Sequence, residues 1–120
     1  MNKTTVIIGA SANAEKYSFK ATTQLIKHGH TVYPIGVKDG SIENIKIITN
    51  KPILKNIHTV TLYINPAKQT EWLEYIISLC PKRVIFNPGT ENPSIYPTLN
   101  ANNIQFEEAC TLVLLSLNQY

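Results

Sequence analysis

The chain has 120 residues, 43% of them hydrophobic, and a formal net charge of +3 from 11 Lys and Arg against 8 Asp and Glu. That length supports one core and one domain over residues 1–120; the scattered basic residues do not form a nucleic-acid surface, and no apolar stretch reaches membrane-spanning length. Met1-Asn2-Lys3 enters a strand with no signal-peptide pattern, and Cys80 and Cys110 have neither zinc-site nor disulfide-scaffold spacing, so a cytoplasmic protein with reduced thiols is expected.

In chain order, Thr5-Val6-Ile7-Ile8 is short, β-branched and uncharged, as a strand buried on both faces of a parallel sheet should be. The small-residue turn Gly9-Ala10-Ser11-Ala12-Asn13 follows, and then a helix from Ser18 to His28 whose positive end faces back to that turn. Thr31 to Ile35 reads as the second strand, and Ile45 to Ile48 as a short third one after the turn-prone Asp39-Gly40-Ser41. Thr59 to Ile64 is the fourth strand. Asn65 can cap the next helix with Pro66 at its first position, and Leu73, Ile76, Ile77 and Cys80 give that helix its apolar face. Arg83 to Phe86 is the fifth strand. Pro97 is tolerated only in a first turn, so the following helix begins near Ser94. Ile104 to Glu107 is a further strand, and Cys110 to Leu117 is apolar nearly all round, the pattern of a buried closing helix.

Alternating strands and helices imply a doubly wound, Rossmann-like α/β fold with strand order 3-2-1-4-5 and the Ile104 strand at the edge. A ligand then lies outside the carboxyl ends of the strands, among the turns after Ile8, Ile35, Ile64, Phe86 and Glu107. The dinucleotide fingerprint Gly-x-Gly-x-x-Gly is absent. Ser11 and Asn13 instead offer side-chain donors beside the backbone N–H groups of the turn, and Lys16 adds charge. Where an NAD site wants an acidic residue after the second strand, this chain has Pro34-Ile35-Gly36-Val37-Lys38. A lysine there pairs with a phosphorylated ribose, which suits coenzyme A (CoA) with its 3′-phosphate or NADP with its 2′-phosphate; otherwise Lys38 is a solvated loop residue.

Gly9-Ala10-Ser11 with Asn13 and Tyr17-Ser18, Gly29-His30-x-Val32-x-Pro34-Ile35-Gly36-x-Lys38, Asn87-Pro88-Gly89-Thr90-Glu91-Asn92, and Glu108-Ala109-Cys110-Thr111-Leu112-Val113-Leu114-Leu115 occur in one order across nearly the whole chain. In these motifs the chain resembles the small stand-alone bacterial CoA-binding domain proteins, which are similar to the CoA-binding domain of the succinyl-CoA synthetase alpha subunit. The resemblance implies that Gly9, Ser11, Asn13 and Ser18 face the CoA phosphates and Lys38 the phosphorylated ribose. It also implies that Asn65 and Pro66 border the adenine and that Asn87, Pro88 and Gly89 line the pantetheine arm. Lys16 stands where the family often has arginine, and Ala14 where proline is common, which loosens phosphate binding at that corner.

Catalysis by the larger synthetase uses a phosphorylated histidine from another domain, so the resemblance implies a binding or regulatory module without catalysis of its own. Two rivals stand beside it: an NADP-binding or redox-sensing Rossmann domain, and an acyl-CoA enzyme or enzyme subunit using Cys110 or a partner. At the head of the last helix, Cys110 would form a mixed disulfide with CoA, or handle a thioester, only if it is more than a small packed residue. His28, His30 and His58 read as structural or surface residues, and His28-x-His30 without a further ligand is no metal site. A homodimer is left open by the apolar last helix and Tyr120, which either the chain's own sheet or a second copy would cover.

Overall fold

In the computed structural model, which describes residues 1–120, strand β1 (Thr5–Ile8) is completely buried and is an inner strand of a parallel sheet. Helix α1 (Tyr17–Lys27) returns the chain to β2 (Val32–Ile35). A small antiparallel hairpin, β3 (Ser41–Ile42) and β4 (Ile45–Lys46), follows. The chain then forms β5 (Thr59–Leu62), α2 (Pro66–Gln69), a tight turn over Thr70–Trp72, and α3 (Leu73–Leu79). β6 (Arg83–Phe86), a turn over Pro93–Ile95, α4 (Tyr96–Ala101), β7 (Gln105–Glu108) and α5 (Thr111–Ser116) complete it. No helix is long and apolar enough to cross a membrane.

The sheet order is β2-β1-β5-β6-β7, every pair parallel. Alternation along each strand splits the core into two layers. Val6, Ile8, Val60, Leu62, Val84 and Phe86 pack with Ile76 and Leu79 of α3 and Leu99 of α4, while Ile7 and Ile85 pack with Leu25 of α1 and Leu115 of α5. Helices therefore cover both faces, and the winding reverses between β1 and β5. This is the doubly wound α/β, Rossmann-like fold that the alternation of elements implies, with the Ile104 segment a full edge strand.

The structure corrects several local expectations. Ile45 to Ile48 is not a third full strand. Glu43 and Asn44 take left-handed φ of 48° and 68°, the two-residue turn that folds β4 back onto β3, and only Ile48 reaches the sheet, as one parallel bridge to Ile35. Ile48 N–H donates to Pro34 O at 2.8 Å, so Pro34 turns its polar side outward, where its missing N–H interrupts a longer ladder. Cys80 is exposed at a left-handed helix end (φ 50°), and Leu79 takes the buried position expected of it. The last helix is not buried all round: its six residues rest on one sheet face and bury Thr111 and Leu115 but leave Val113 50% exposed, and Leu117 just past its end is 57% exposed. Tyr120 is buried by its own chain, its hydroxyl 2.6 Å from Thr5 Oγ1. Pro97 lies in the first turn of α4, and Asn65 caps α2, its side chain accepting from Lys68 N–H at 3.1 Å.

Candidate functional site

A cleft of about 860 Å³ opens at the carboxyl ends of β2, β1 and β5, at the point where the winding reverses. Its floor depends on close backbone contact. Gly9 has φ of +100°, and a Cβ there would stand 2.8 Å from Tyr63 O; a Cβ on Gly36 would overlap the carbonyl oxygen of Ala10. These glycines let three loops converge where side chains would otherwise fill the space.

The first loop offers only some of the amides that the sequence suggests. Gly9 N–H and Ala10 N–H both donate to Ile35 O at 2.9 Å, so they tie the loop to β2. The open donors lie further on. Lys16 precedes α1 without a side-chain cap, and the N–H groups of Tyr17, Ser18 and Phe19 have no internal partner. Those of Ser11 and Ala12 are equally free, whereas Asn13 and Glu15 N–H are taken by Ser11 Oγ (3.1 Å) and Asn13 Oδ1 (3.0 Å). Ser18 is buried, lines the cleft, and its hydroxyl makes no internal hydrogen bond. An uncapped eleven-residue helix presenting three N–H groups beside a free hydroxyl is an anion-binding geometry.

Three lysines, Lys16, Lys38 and Lys68, line the cleft, and none has an ion-pair or hydrogen-bond partner for its ammonium group. Two carboxylates, Asp39 and Glu71, share the lining, so the balance remains cationic. The ion pair of the molecule, Arg83 with Glu107 at 3.9 Å, lies at the other end of the sheet. On the apolar side stand Val37, Ile64 and Trp72; Trp72 is braced by Lys51, whose Nζ is 4.7 Å from the ring centroid. Tyr63 contributes its ring to the wall and hides its hydroxyl, which has no hydrogen-bond partner; burial, with Cys110 nearby, pushes that phenol's pKa well up.

Of the residues singled out in the sequence, Gly9, Ala10, Ser11, Asn13, Lys16, Ser18, Gly36 and Lys38 come together in the cleft. Asn65 and Pro66 flank its wall, between Ile64 and Lys68. Pro34 is buried within β2 and does not line it. Asn87, Pro88, Gly89 and Cys110 lie beyond it, over β6 and β7. Asn87 is buried and fully engaged: its Nδ2 donates to Thr61 Oγ1 (2.6 Å) and Leu62 O (2.9 Å), and its Oδ1 accepts from Thr111 N–H (2.9 Å). It fastens the loop after β6 to β5 and to the head of α5, leaving Pro88 and Gly89 as the exposed lip. Cys110 is half-buried immediately before α5.

Sequence reasoning missed Tyr63, Lys68, Asp39 and Trp72 as lining residues. Tyr63 and Lys68 were within reach, since they sit at the carboxyl end of β5 and in the first turn after it. All three histidines lie away from the cleft. His28 and His30 line a smaller cavity with Lys3 and Tyr120 near the amino ends of the strands, and His58 directly precedes β5. His30 Nδ1 accepts Lys3 N–H at 2.9 Å, and His28 Nδ1 meets Gln24 O at 2.8 Å.

Comparison with known proteins bears on this geometry. The crystal structure of an uncharacterized protein is 43% identical, with a TM-score of 0.97 over 100% of this chain and 99% of that one. A hypothetical protein from Pyrococcus horikoshii OT3 is 24% identical over 93% of this chain and 80% of its own, with a TM-score of 0.84. An acetyl-coenzyme A synthetase from Ca. Korarchaeum cryptofilum, in complex with phosphate and ADP, is 13% identical over 90% of this chain but only 26% of its own, with a TM-score of 0.74. The last two share the fold. Comparison with curated proteins found no match. A family model described as a CoA binding domain matches residues 3–116, nearly the whole length, and the chain therefore belongs to the family of CoA-binding domains.

Proposed function

We propose that the protein binds coenzyme A or an acyl-CoA in the cleft between β1 and β5, as a binding or regulatory module. The observation that carries this reading is the set of unpaired donors facing one space: three lysines without partners, the free N–H groups that open α1, and the unengaged Ser18 hydroxyl. A diphosphate at the head of α1 would be held by charge-assisted hydrogen bonds, the stronger kind. Lys38, three residues after β2, would pair with the phosphate on the ribose. Family membership supports CoA over NADP, whose 2′-phosphate the same lysine could reach.

The binding role rests on chemistry as well as on family. The cleft holds no histidine, and Asp39, the chain's single aspartate, has no histidine or serine arranged with it as a relay. Trp72 is the only tryptophan and lines the cleft, so its emission reports occupancy directly. Titration with CoA should change that emission saturably, with NADP at least about tenfold weaker, roughly 1.4 kcal/mol. NADP binding as tightly as CoA moves the assignment to an NADP-binding domain, and turnover of an acyl-CoA by the pure protein moves it to an enzyme.

A further inference from the structure

Gln69 closes α2 and is completely buried although it carries an amide. Its Nε2 donates to Ile64 O at 3.1 Å and to Thr90 O at 2.7 Å, and its Oε1 accepts from Asn92 Nδ2 at 3.1 Å. Both amide hydrogens and the carbonyl are thereby engaged, and they join two loops distant in sequence. The network continues outward: Ser94 Oγ donates to Asn92 Oδ1 at 2.6 Å, Asn92 N–H reaches Tyr96 Oη at 3.3 Å, and Tyr96 Oη donates to Glu108 Oε2 at 2.7 Å. Thr90 closes its own turn, with N–H and hydroxyl both donating to Asn87 O at 2.9 and 2.8 Å.

The loop from Asn87 to Asn92 is consequently clamped to the wall of the cleft that Ile64 and Lys68 form. A leucine would fill the volume of Gln69 without the desolvation that a buried amide must recover through every one of its bonds. What the glutamine adds is a fixed spacing between the corner after β5 and the lip after β6.

We propose that Gln69 is a positioning residue that preforms the crevice across these two corners, so that a ligand extending from the cleft over β6 finds its second contact surface already in place. The inference rests on the CoA reading above, in which the extending part is the pantetheine arm over Pro88 and Gly89. A preformed lip lowers the ordering cost of binding the arm and leaves the nucleotide end, held by α1 and Lys38, unaffected.

Two measurements test this. In the free protein, Gln69→Leu should speed amide hydrogen exchange at Thr90 and Lys68 together, by about tenfold or more, while the amides of β1 and β5 stay protected. By calorimetric titration, Gln69→Leu should weaken CoA about tenfold and adenosine 3′,5′-bisphosphate, which lacks the arm, by less than about twofold. Unchanged exchange, unchanged CoA affinity, or equal weakening of both ligands overturns the positioning role. Asn92→Ala removes one of the three bonds and keeps Gln69, so it should shift both readouts the same way by a smaller factor, and it decides the question if Gln69→Leu does not fold. A wild-type protein that binds neither ligand refutes the CoA reading, while the exchange measurement still decides whether Gln69 couples the two corners.

Discussion

The two ends of the sheet use their cations in opposite ways. At the amino end, Lys3 Nζ donates to Tyr120 O at 2.6 Å, and Arg83 donates to Thr59 Oγ1 at 3.0 Å while its guanidinium lies 4.5 Å from the centre of the Tyr120 ring. At the carboxyl end, Lys16, Lys38 and Lys68 have no partner in the protein. Charge that is consumed internally holds a fold together, whereas charge left beside open N–H groups awaits a ligand. The contrast locates the site better than the net charge of +3, which is silent on how the cations are spent.

Closing the carboxyl end has the most severe effect. Gly36→Val places a branched side chain against Ala10's backbone, and it should cost about 2 kcal/mol of stability and abolish detectable CoA binding in the same titration. Loosening the fastening between the strands comes second, because it acts on stability and does not close the cleft. Asn87→Ala leaves the Thr111 N–H and Leu62 O without their partner and should lower stability by about 2–4 kcal/mol, read from denaturant midpoints. Exchanging single cations then sharpens the contrast. Lys68→Ala should weaken CoA about tenfold and flatten the salt dependence of binding without changing the melting temperature, whereas Lys3→Ala should lower the melting temperature and leave CoA affinity unchanged.

The smallest effect is a pH dependence confined to the amino end. Burial, followed by nearby cations, holds the pKa of His30 and of His58 below the ordinary 6.5. The unfolded chain therefore takes up these protons at higher pH than the folded one, so this stabilisation is complete above pH 6.5 and declines as pH falls below it. Protonation also removes the lone pair with which His30 Nδ1 accepts Lys3 N–H. Thermal melts should show a falling midpoint between about pH 7 and pH 5, and His30→Gln should reduce that slope. A slope unchanged by the substitution would place its origin elsewhere.

How much of this was legible in the sequence depended on whether the deciding contact was local. β1 was readable because a short, uncharged, β-branched run suits a strand buried on both sides, and Asn65-Pro66 and Pro97 were readable because capping and the missing proline N–H act within one turn. The hairpin at Glu43-Asn44 escaped because its left-handed residues are not the glycines that usually mark such a turn. The phosphate corner was legible in place but not in detail. Gly9 and Ala10 have the composition of an anion loop, yet Ile35 O takes both their amides, a contact set by the packing of β2 against β1. Gln69 was illegible for the same reason: one polar residue in a short helix gives no sign that its partners are Thr90 and Asn92.

If the unpaired cations at the carboxyl end receive phosphates, Lys38 isolates one of them. Calorimetric titration of the wild type and of Lys38→Ala with CoA and dephospho-CoA tests this most directly. The wild type should prefer CoA over dephospho-CoA by about tenfold or more, and Lys38→Ala should bind both with nearly equal affinity. A wild type indifferent to the 3′-phosphate, or a preference that survives the loss of Lys38, would contradict it.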